Sequence, residues 1–259
     1  MNLGLQGKRA LVTGSTAGIG FATARLLAAE GASVIVNGRM QGRVDTAVKA
    51  IQGQVVGVAA DLGSARGCEE LAQRVPAVDI LVNNVGIFEP KPFDKIPDED
   101  WLRFFEVNVM SGVRLARRYL PGMRAKNWGR IVFVSSESAL QIPAEMIHYG
   151  MTKTAQLAVA RGIAETTAGT GVTVNSVLPG PTASEGVATF VEQMAKSRGV
   201  DFKTMEQEFF ATARPSSLLR RFATPDEVAA LIVYVCSERA SATNGAALRV
   251  DGGVVRAIV

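Results

Sequence analysis

The sequence predicts an α/β fold with a doubly wound parallel sheet of about seven strands and helices on both faces. Short apolar runs alternate with stretches of helical periodicity along nearly the whole chain. The runs are almost continuously apolar rather than alternating, which is typical of strands that are buried on both faces of a parallel sheet. With 259 residues, 47% of them hydrophobic and 20% charged, the chain can bury a core of this size.

Each strand is predicted from one apolar run, and each helix from a periodic stretch that follows a strand. The strands are expected at Lys8–Thr13, Ser33–Val36, Gln54–Ala60, Asp79–Val82, Arg130–Ser135, Val172–Val177 and Leu248–Asp251. The helices are expected at Ile19–Glu30, Gly42–Ile51, Ala65–Arg74, Asp98–Arg124, Ile147–Thr167 and Pro225–Ser237. Gly31 ends the first helix, and Pro225 suits the first position of the last one. No stretch has the composition of a linker, so residues 1–259 are expected to form a single domain.

Charge, cysteine content and the length of the apolar runs restrict the partners. The 28 basic and 24 acidic residues give a net charge of +4 and are scattered, so no nucleic-acid partner is expected. Cys68 and Cys236 lack the spacing of metal ligands, so neither a metal site nor a disulfide framework is expected. No apolar stretch reaches the roughly 18 residues of a membrane helix, and the N-terminus lacks the apolar region of a secretory signal. A cytoplasmic protein without a membrane partner is predicted.

A glycine-rich turn joins the first strand to the first helix. Glycines at the carboxyl end of a parallel strand let the backbone approach a pyrophosphate, and the N–H groups of the helix N-terminus bind it. The turn therefore predicts a Rossmann-type dinucleotide site, although its spacing is Gly-x3-Gly-x-Gly and not Gly-x-Gly-x-x-Gly. The alternative is a tight turn without a ligand. The residues assigned to the cofactor here are Gly14, Ser15, Thr16, Gly18, Ile19 and Gly20.

The end of the second strand indicates which nucleotide is bound. A carboxylate about 20 residues after the glycine turn would bind the ribose 2′-hydroxyl of NAD(H). This chain has Gly38 followed by Arg39, and an arginine can pair with a 2′-phosphate. NADP(H) is therefore favoured over NAD(H), unless Arg39 is a solvated loop charge. Asp61, beside Leu62, suits a contact to the adenine amino group, and it also has the type of side chain that caps a following helix.

A second group of polar residues predicts proton-transfer chemistry. Tyr149 and Lys153 are four residues apart in a helical pattern and therefore share one face. A nearby ammonium lowers the pKa of a tyrosine, which suits Tyr149 to proton transfer with a carbonyl or alcohol oxygen. Ser136 lies thirteen residues before Tyr149, where its hydroxyl can hold the reacting oxygen, while Ser135 would point to the opposite side. The alternative is an amphipathic helix with a solvated lysine.

With these motifs the chain resembles the classical short-chain dehydrogenase/reductase family over nearly its whole length. Among its members, those similar to 3-oxoacyl-[acyl-carrier-protein] reductases are the nearest in general character. The segment Asn83-Asn84-Val85-Gly86 departs from the family's usual Asn-Asn-Ala-Gly only at Val85. The resemblance implies that the residues which line the cofactor, besides the glycine turn, Tyr149 and Lys153, are Asn84, Gly86, Pro179, Gly180 and Thr182.

The resemblance also implies the catalytic roles. It makes Ser136, Tyr149 and Lys153 catalytic, and it lets Lys153 hold the nicotinamide ribose. It adds Asn108 as a fourth catalytic residue, which in the family kinks a helix and holds a water that relays protons to the lysine. Glu137 keeps two interpretations, because it can cap a turn or line the pocket. His148 projects about 100° away from Tyr149 on a helix, so a structural or interface role is favoured over catalysis.

The resemblance implies an NADP(H)-dependent oxidoreductase that transfers a hydride between the nicotinamide and a carbonyl compound or secondary alcohol. An acyl thioester is included among the substrates, and a homotetramer is the expected assembly. The alternatives are a non-catalytic nucleotide-binding regulator on the same fold and an NAD-dependent catabolic alcohol dehydrogenase. Residues 182–217 are expected to cover the active site as a lid. The apolar residues of this stretch are Phe190, Met194, Phe202, Met205, Phe209 and Phe210.

Overall fold

The computed structural model describes residues 2–185, 187, 191, 195–196 and 198–258. Seven parallel strands form one sheet in the order β3-β2-β1-β4-β5-β6-β7. The strands are β1 (Arg9–Val12), β2 (Ser33–Gly38), β3 (Val55–Ala59), β4 (Ile80–Asn83), β5 (Gly129–Val134), β6 (Val172–Pro179) and β7 (Ala247–Val250). The α-helices are α1 (Gly18–Ala29), α2 (Gln41–Ala50), α3 (Ala65–Arg74), α4 (Asp98–Phe105), α5 (Ser111–Ala125), α6 (Ile147–Glu165), α7 (Phe202–Thr212) and α8 (Pro225–Val235). The predicted fold class is confirmed.

The helices cover both faces of the sheet because successive strand residues point in opposite directions. Val12 and Val82 face one layer, in which Leu27 of α1, Val44 of α2 and Ile232 of α8 are buried. The neighbouring strand residues face the other layer, which takes its helical part from α3, α5 and α6. Apolar burial on both sides of every central strand explains why the strands read as continuous apolar runs rather than as alternating ones.

The strand order reverses at β1, which has β2 on one side and β4 on the other. The chain leaves these strands toward helices on opposite faces of the sheet, so a crevice opens at their carboxyl ends. The glycine turn after β1 and the Asn83–Gly86 segment after β4 meet at this crevice. The topology therefore places the predicted nucleotide motifs side by side.

The predicted unbroken helix from Asp98 to Arg124 is wrong. A π-helical turn over Glu106–Met110 separates α4 from α5. At this wide turn the Asn108 side chain leaves the helix and bonds to the backbone of Ile87, with its Oδ1 accepting from the N–H at 2.7 Å and its Nδ2 donating to the carbonyl at 3.0 Å. Wide turns of this kind are frequent at functional sites.

The stretch from 182 to 217 contains α7 and a small apolar cluster of its own. Met205 and Phe210 of this helix are buried against Phe222. Phe209 packs on the same ring, with 5.2 Å between the ring centroids. Phe190 and Met194, which are also predicted to belong to this stretch, lie outside the described residues.

Three features of the described part of the chain concern membranes, metal ions and cysteines. None of its helices is both long and apolar enough to cross a membrane. No group of three or more metal-ligating side chains comes together within it. Cys68 and Cys236 are both buried, and both are free thiols.

Candidate active site

Two adjoining cavities open at the carboxyl ends of the strands. The first, which we call the nucleotide groove, has a volume of about 520 Å³ and runs from Arg39 and Asp61 to Asn84. The second, which we call the substrate cavity, has a volume of about 650 Å³ and contains Ser136, Tyr149 and Lys153 in its wall. The two share the wall residues Ile19, Asn84, Gly86, Ile87 and Ser184. They therefore form one continuous cleft with the predicted nucleotide residues at one end and the predicted catalytic residues at the other.

The glycine turn has a backbone that other residues would not adopt. Gly14 and Gly18 have φ of +59° and +56°, in the left-handed region that favours glycine. At Gly20 a Cβ would lie 2.5 Å from the Gly14 carbonyl oxygen and from Asn84 Nδ2. Helix α1 begins here without a side-chain cap, so its first N–H groups face the groove and can bind an anion. The turn thus fits a pyrophosphate, as the spacing predicts.

Two of the residues assigned to the cofactor serve the turn itself. The Ser15 hydroxyl is buried, donates to the Val12 carbonyl at 2.6 Å and accepts from the Asn37 N–H at 3.0 Å. Gly20 lets α1 approach the turn closely. The groove wall is formed instead by Gly14, Thr16, Gly18 and Ile19. Ser15 and Gly20 hold the turn against β1 and β2, and they do not line the groove.

Arg39, Asp61 and Leu62 lie together at the far end of the nucleotide groove. Arg39 is exposed, so its guanidinium is accessible to a ligand. The interpretation of Asp61 as a helix cap is wrong, because the Ser64 hydroxyl caps α3 by accepting from the Gly67 N–H at 3.1 Å. Asp61 Oδ1 accepts from the nearby Gly63 N–H at 3.1 Å, which leaves the side chain at the groove wall.

Ser135 and Ser136, which follow β5, have different roles in the structure. The Ser135 hydroxyl donates to the Lys153 carbonyl at 2.9 Å and ties α6 to the sheet. The Ser136 hydroxyl lies close enough to the Tyr149 hydroxyl to favour a lower pKa there. It also donates to Glu137 Oε2 at 2.5 Å. Ser136 is therefore the serine that meets Tyr149, as its spacing predicts.

Tyr149 does not have the lowered pKa that the sequence suggests. Its hydroxyl is desolvated by the surrounding protein, and this burial raises its pKa well above the ordinary value of a tyrosine. The neighbouring Ser136 hydroxyl opposes the effect without cancelling it. Lys153 Nζ lies 5.6 Å from the centroid of the Tyr149 ring and is engaged elsewhere, which explains why the expected lowering is wrong for this structure. At neutral pH Tyr149 is a phenol, the form that donates a proton.

Lys153 is held by a residue that the sequence analysis missed. Its Nζ donates to the Val134 carbonyl at 3.0 Å and to Gln156 Oε1 at 3.3 Å. Gln156 Nε2 donates in turn to the Asn108 carbonyl at 2.6 Å, so a single amide links the π-helical turn to the lysine. Gln156 lies three residues after Lys153 on one helix face, and this spacing is the signal that could have found it. Asn108 itself is buried, and its Nδ2 also donates to the Thr152 hydroxyl at 3.0 Å.

Burial lowers the pKa of Lys153 from an ordinary value of 10.5 to about 8. Between these two pH values the unfolded chain binds a proton that the folded protein does not, so the free energy of unfolding rises with pH. We expect the Lys153→Met variant, which has no such proton, to lack this rise. Its stability relative to the unchanged protein should therefore be greatest below pH 8 and should decline toward pH 10.5.

Urea unfolding of the cofactor-free protein at several pH values measures this difference. The exposed Lys49 of α2 provides the control variant Lys49→Met, which makes the same chemical change outside the cleft. A Lys153→Met difference that is the same at pH 7 and pH 10 would contradict the lowered pKa.

Glu137 forms part of a charged group in the wall of the substrate cavity. Its Oε1 accepts from Arg214 Nε at 2.9 Å, and Arg214 Nη1 donates to Glu145 Oε1 at 3.2 Å. The side chains of Glu137 and Arg214 are 6% and 9% exposed, whereas Glu145 is 49% exposed at the cavity mouth. Glu137 Oε2 also accepts from the Ser138 N–H at 2.9 Å, but the cap of this turn is Ser136, so of the two interpretations the structure supports the one in which Glu137 lines the pocket. Arg214 was missed because no motif links it to residues 77 positions earlier.

His148 has a packing role in the described structure. It is fully buried between Trp101 and Phe104 of α4, at ring-centroid distances of 6.0 and 4.0 Å. Burial lowers its pKa, so the ring is neutral. Its side chain is not among those that line the substrate cavity. The favoured structural role of His148 agrees with this position.

Comparison with known proteins decides the family. The family model described as "short chain dehydrogenase" matches residues 8–195. The chain belongs to the short-chain dehydrogenase family. It is an enzyme of the oxidoreductase class, and this excludes the alternative of a non-catalytic regulator. The predicted family is thereby confirmed.

Individual relatives of this short-chain dehydrogenase match along the full chain. It is 49% identical to the uncharacterized oxidoreductase YvaG of Bacillus subtilis over 100% of both chains. It is 37% identical to the D-beta-hydroxybutyrate dehydrogenase of Cupriavidus necator, over 97% of this chain and 99% of the relative. Its structure matches that of L-sorbose reductase from Gluconobacter frateurii, solved with NADPH and L-sorbose, with a TM-score of 0.93, 33% identity and full coverage of both chains.

Proposed function

We propose that this enzyme transfers a hydride between NADP(H) and a carbonyl compound or secondary alcohol. The observation that carries the proposal is the continuous cleft, which joins an anion-binding glycine turn to the Ser136, Tyr149 and Lys153 group. Arg39 at the groove end supports NADP(H) over NAD(H), because it is accessible to a 2′-phosphate. The solved structures of L-sorbose reductase with NADPH and of a gluconate 5-dehydrogenase with NADP support the same cofactor.

Different residues of the cleft bind the cofactor and transfer the proton during reduction. The turn around Gly14 and Gly18 binds the pyrophosphate, and Lys153 binds the nicotinamide ribose. When bound, the nicotinamide supplies the hydride to the carbonyl carbon. Tyr149 donates its proton to the carbonyl oxygen as that oxygen gains negative charge. Oxidation of an alcohol runs through the same groups in reverse, with Tyr149 accepting the proton.

Ser136 and Asn108 hold these groups in place. The Ser136 hydroxyl can rotate from Glu137 to the substrate oxygen, since Glu137 Oε2 keeps the Ser138 N–H as a donor. A donor aimed at the developing charge stabilises the transition state more than the substrate. Asn108 fixes Lys153 through Gln156, and this places the ammonium at the base of the cavity. The described part of residues 182–217 acts as a lid, with Phe209 and Arg214 as part of the cavity wall.

Titration of the purified enzyme with NADPH and NADH, followed by nicotinamide fluorescence, tests the cofactor. Tighter binding of NADPH is expected. A panel of ketones, secondary alcohols and acyl thioesters then tests the reaction by the change in absorbance of NADPH. If NADH bound more tightly, an NAD-dependent catabolic alcohol dehydrogenase would replace the proposal.

We also infer that four copies assemble in the cytoplasm, as the sequence analysis expects. Leu102 and Phe105 on α4 are 70% and 38% exposed, which supports contact with another copy through this helix. Light scattering of the purified enzyme should give four chain masses.

A further inference from the structure

The charged group in the substrate cavity contains two acidic side chains and one basic side chain. Arg214 is paired with Glu137 and Glu145, so the three side chains together carry one excess negative charge. Both acids touch the same guanidinium, whose Nη1 also donates to the Ala213 carbonyl at 2.8 Å. Arg214 is thus committed to the protein on two sides.

A carboxylate on a substrate that bonded to Nε or Nη1 of Arg214 would need to displace one of these acids or the Ala213 carbonyl. Displacing Glu137 would leave a buried carboxylate without its cation, and breaking a buried ion pair in this way is strongly destabilising. Displacing Glu145 would place two carboxylates on Arg214 with a third beside them. Among the described residues of the cavity wall, the other cation is Lys153, which the proposed function places at the nicotinamide ribose.

The rest of the cavity wall is suited to an uncharged chain. Apolar side chains from several segments of the chain line the same cavity as Ser136 and Tyr149. These are Ile87, Phe88, Met146, Val187, Phe209 and Phe222. Contact with them stabilises a substituent in proportion to the apolar area that it buries.

We propose that the Glu137–Arg214–Glu145 group makes the enzyme select carbonyl compounds that carry no carboxylate near the reacting carbon. The proposal rests on the proposed function and narrows its substrate class. It assigns Glu145, at the open mouth of the cavity, the role of a specificity residue. The enzyme therefore differs in substrate charge from the relative named for hydroxybutyrate.

Acetoacetate and its methyl ester test the selection, since they share one ketone and differ in charge. We expect kcat/KM with NADPH to be about 100-fold higher for the ester, because an unfavourable charge contact costs several kcal/mol and each 1.4 kcal/mol is a factor of ten. Equal values for the two compounds, or a higher value for the acid, would overturn the proposal while confirming the proposed function.

The variant Glu145→Gln locates the cause. It removes one negative charge and keeps an oxygen that can accept from Arg214, so the preference for the ester should fall about tenfold, which corresponds to roughly 1.4 kcal/mol. Glu70→Gln makes the same chemical change on α3, outside the cavity, and should leave the preference unchanged. If Glu145→Gln and Glu70→Gln behave alike, Glu145 does not set the selection.

Binding separates a failed selection from a failed function. Each compound is titrated into the enzyme–NADPH complex, and the fluorescence of the bound NADPH is followed. If neither compound is reduced but the ester binds more tightly than the acid, the selection stands and the proposed function fails for these substrates. When neither compound is reduced, the selection is overturned if the two compounds bind equally, if the acid binds more tightly, or if neither compound binds.

Discussion

Replacing Tyr149 by phenylalanine is expected to lower kcat by about 1,000-fold, within the roughly 10²–10⁴-fold range of general acid–base catalysis. The ring fills the same space and keeps its edge contact with Phe88, whose centroid lies 6.4 Å away. Only the hydroxyl that the proposed function assigns to proton donation is lost. Affinity for NADPH should change little, because the proposed sites of the pyrophosphate and the 2′-phosphate lie at the other end of the cleft.

Steady-state rates and NADPH titrations on the same preparation measure both effects. Tyr234 offers a matched control, since it is 40% exposed on α8 and does not line the substrate cavity. Tyr234→Phe should retain full activity. A Tyr149→Phe enzyme that keeps more than about a tenth of kcat would remove Tyr149 from the proton transfer, given the magnitude of acid–base catalysis.

Replacing Arg39 by aspartate should shift the ratio of NADPH to NADH affinity by about 100-fold toward NADH, since hydrogen bonds to charged groups contribute roughly 1.5–3 kcal/mol. The change removes a cation from the groove end and adds an anion that repels a 2′-phosphate. The same anion can accept a hydrogen bond from the 2′-hydroxyl of NADH. The loss of NADPH affinity should shrink at high salt, because Arg39 is exposed and its field is screened.

Fluorescence titrations with both nucleotides give the ratio. The control is Arg124→Asp at the end of α5, close to the amino end of β5 and so at the opposite edge of the sheet. It changes net charge by the same amount and should not alter the ratio. An unchanged ratio in Arg39→Asp would mean that Arg39 is a solvated charge and that another group selects the nucleotide.

Local patterns in the sequence were sufficient to predict the sheet and most of the residues in the cleft. Each strand is a short apolar run. Gly14, Gly18 and Tyr149 lie where their residue types and their spacing in the sequence predict them. These features are local because they depend on backbone conformation or on one helix face. The resemblance implied a kink at Asn108, but helical periodicity alone could not predict the π-helical turn, since its Asn108 side chain bonds to Ile87, a residue 21 positions away.

The chemistry of the substrate cavity was harder to foresee for the same reason. The pKa of Tyr149 depends on how deeply its hydroxyl is desolvated, and that is a property of the assembled cavity. The partner of Glu137 is Arg214, which comes from a stretch without a recognisable motif. Both results require the positions of side chains that are distant in the chain.

The two cavities are built largely from different parts of the sequence. The nucleotide groove is built almost entirely from the first 107 residues, whereas most of the substrate cavity wall comes from 134–146 and 179–222. Mutations in these later segments, apart from the predicted cofactor residues Pro179, Gly180 and Thr182, can therefore alter which compound is accepted while the nucleotide contacts persist. A protein organised in this way can acquire new substrates during evolution without first losing its source of reducing power.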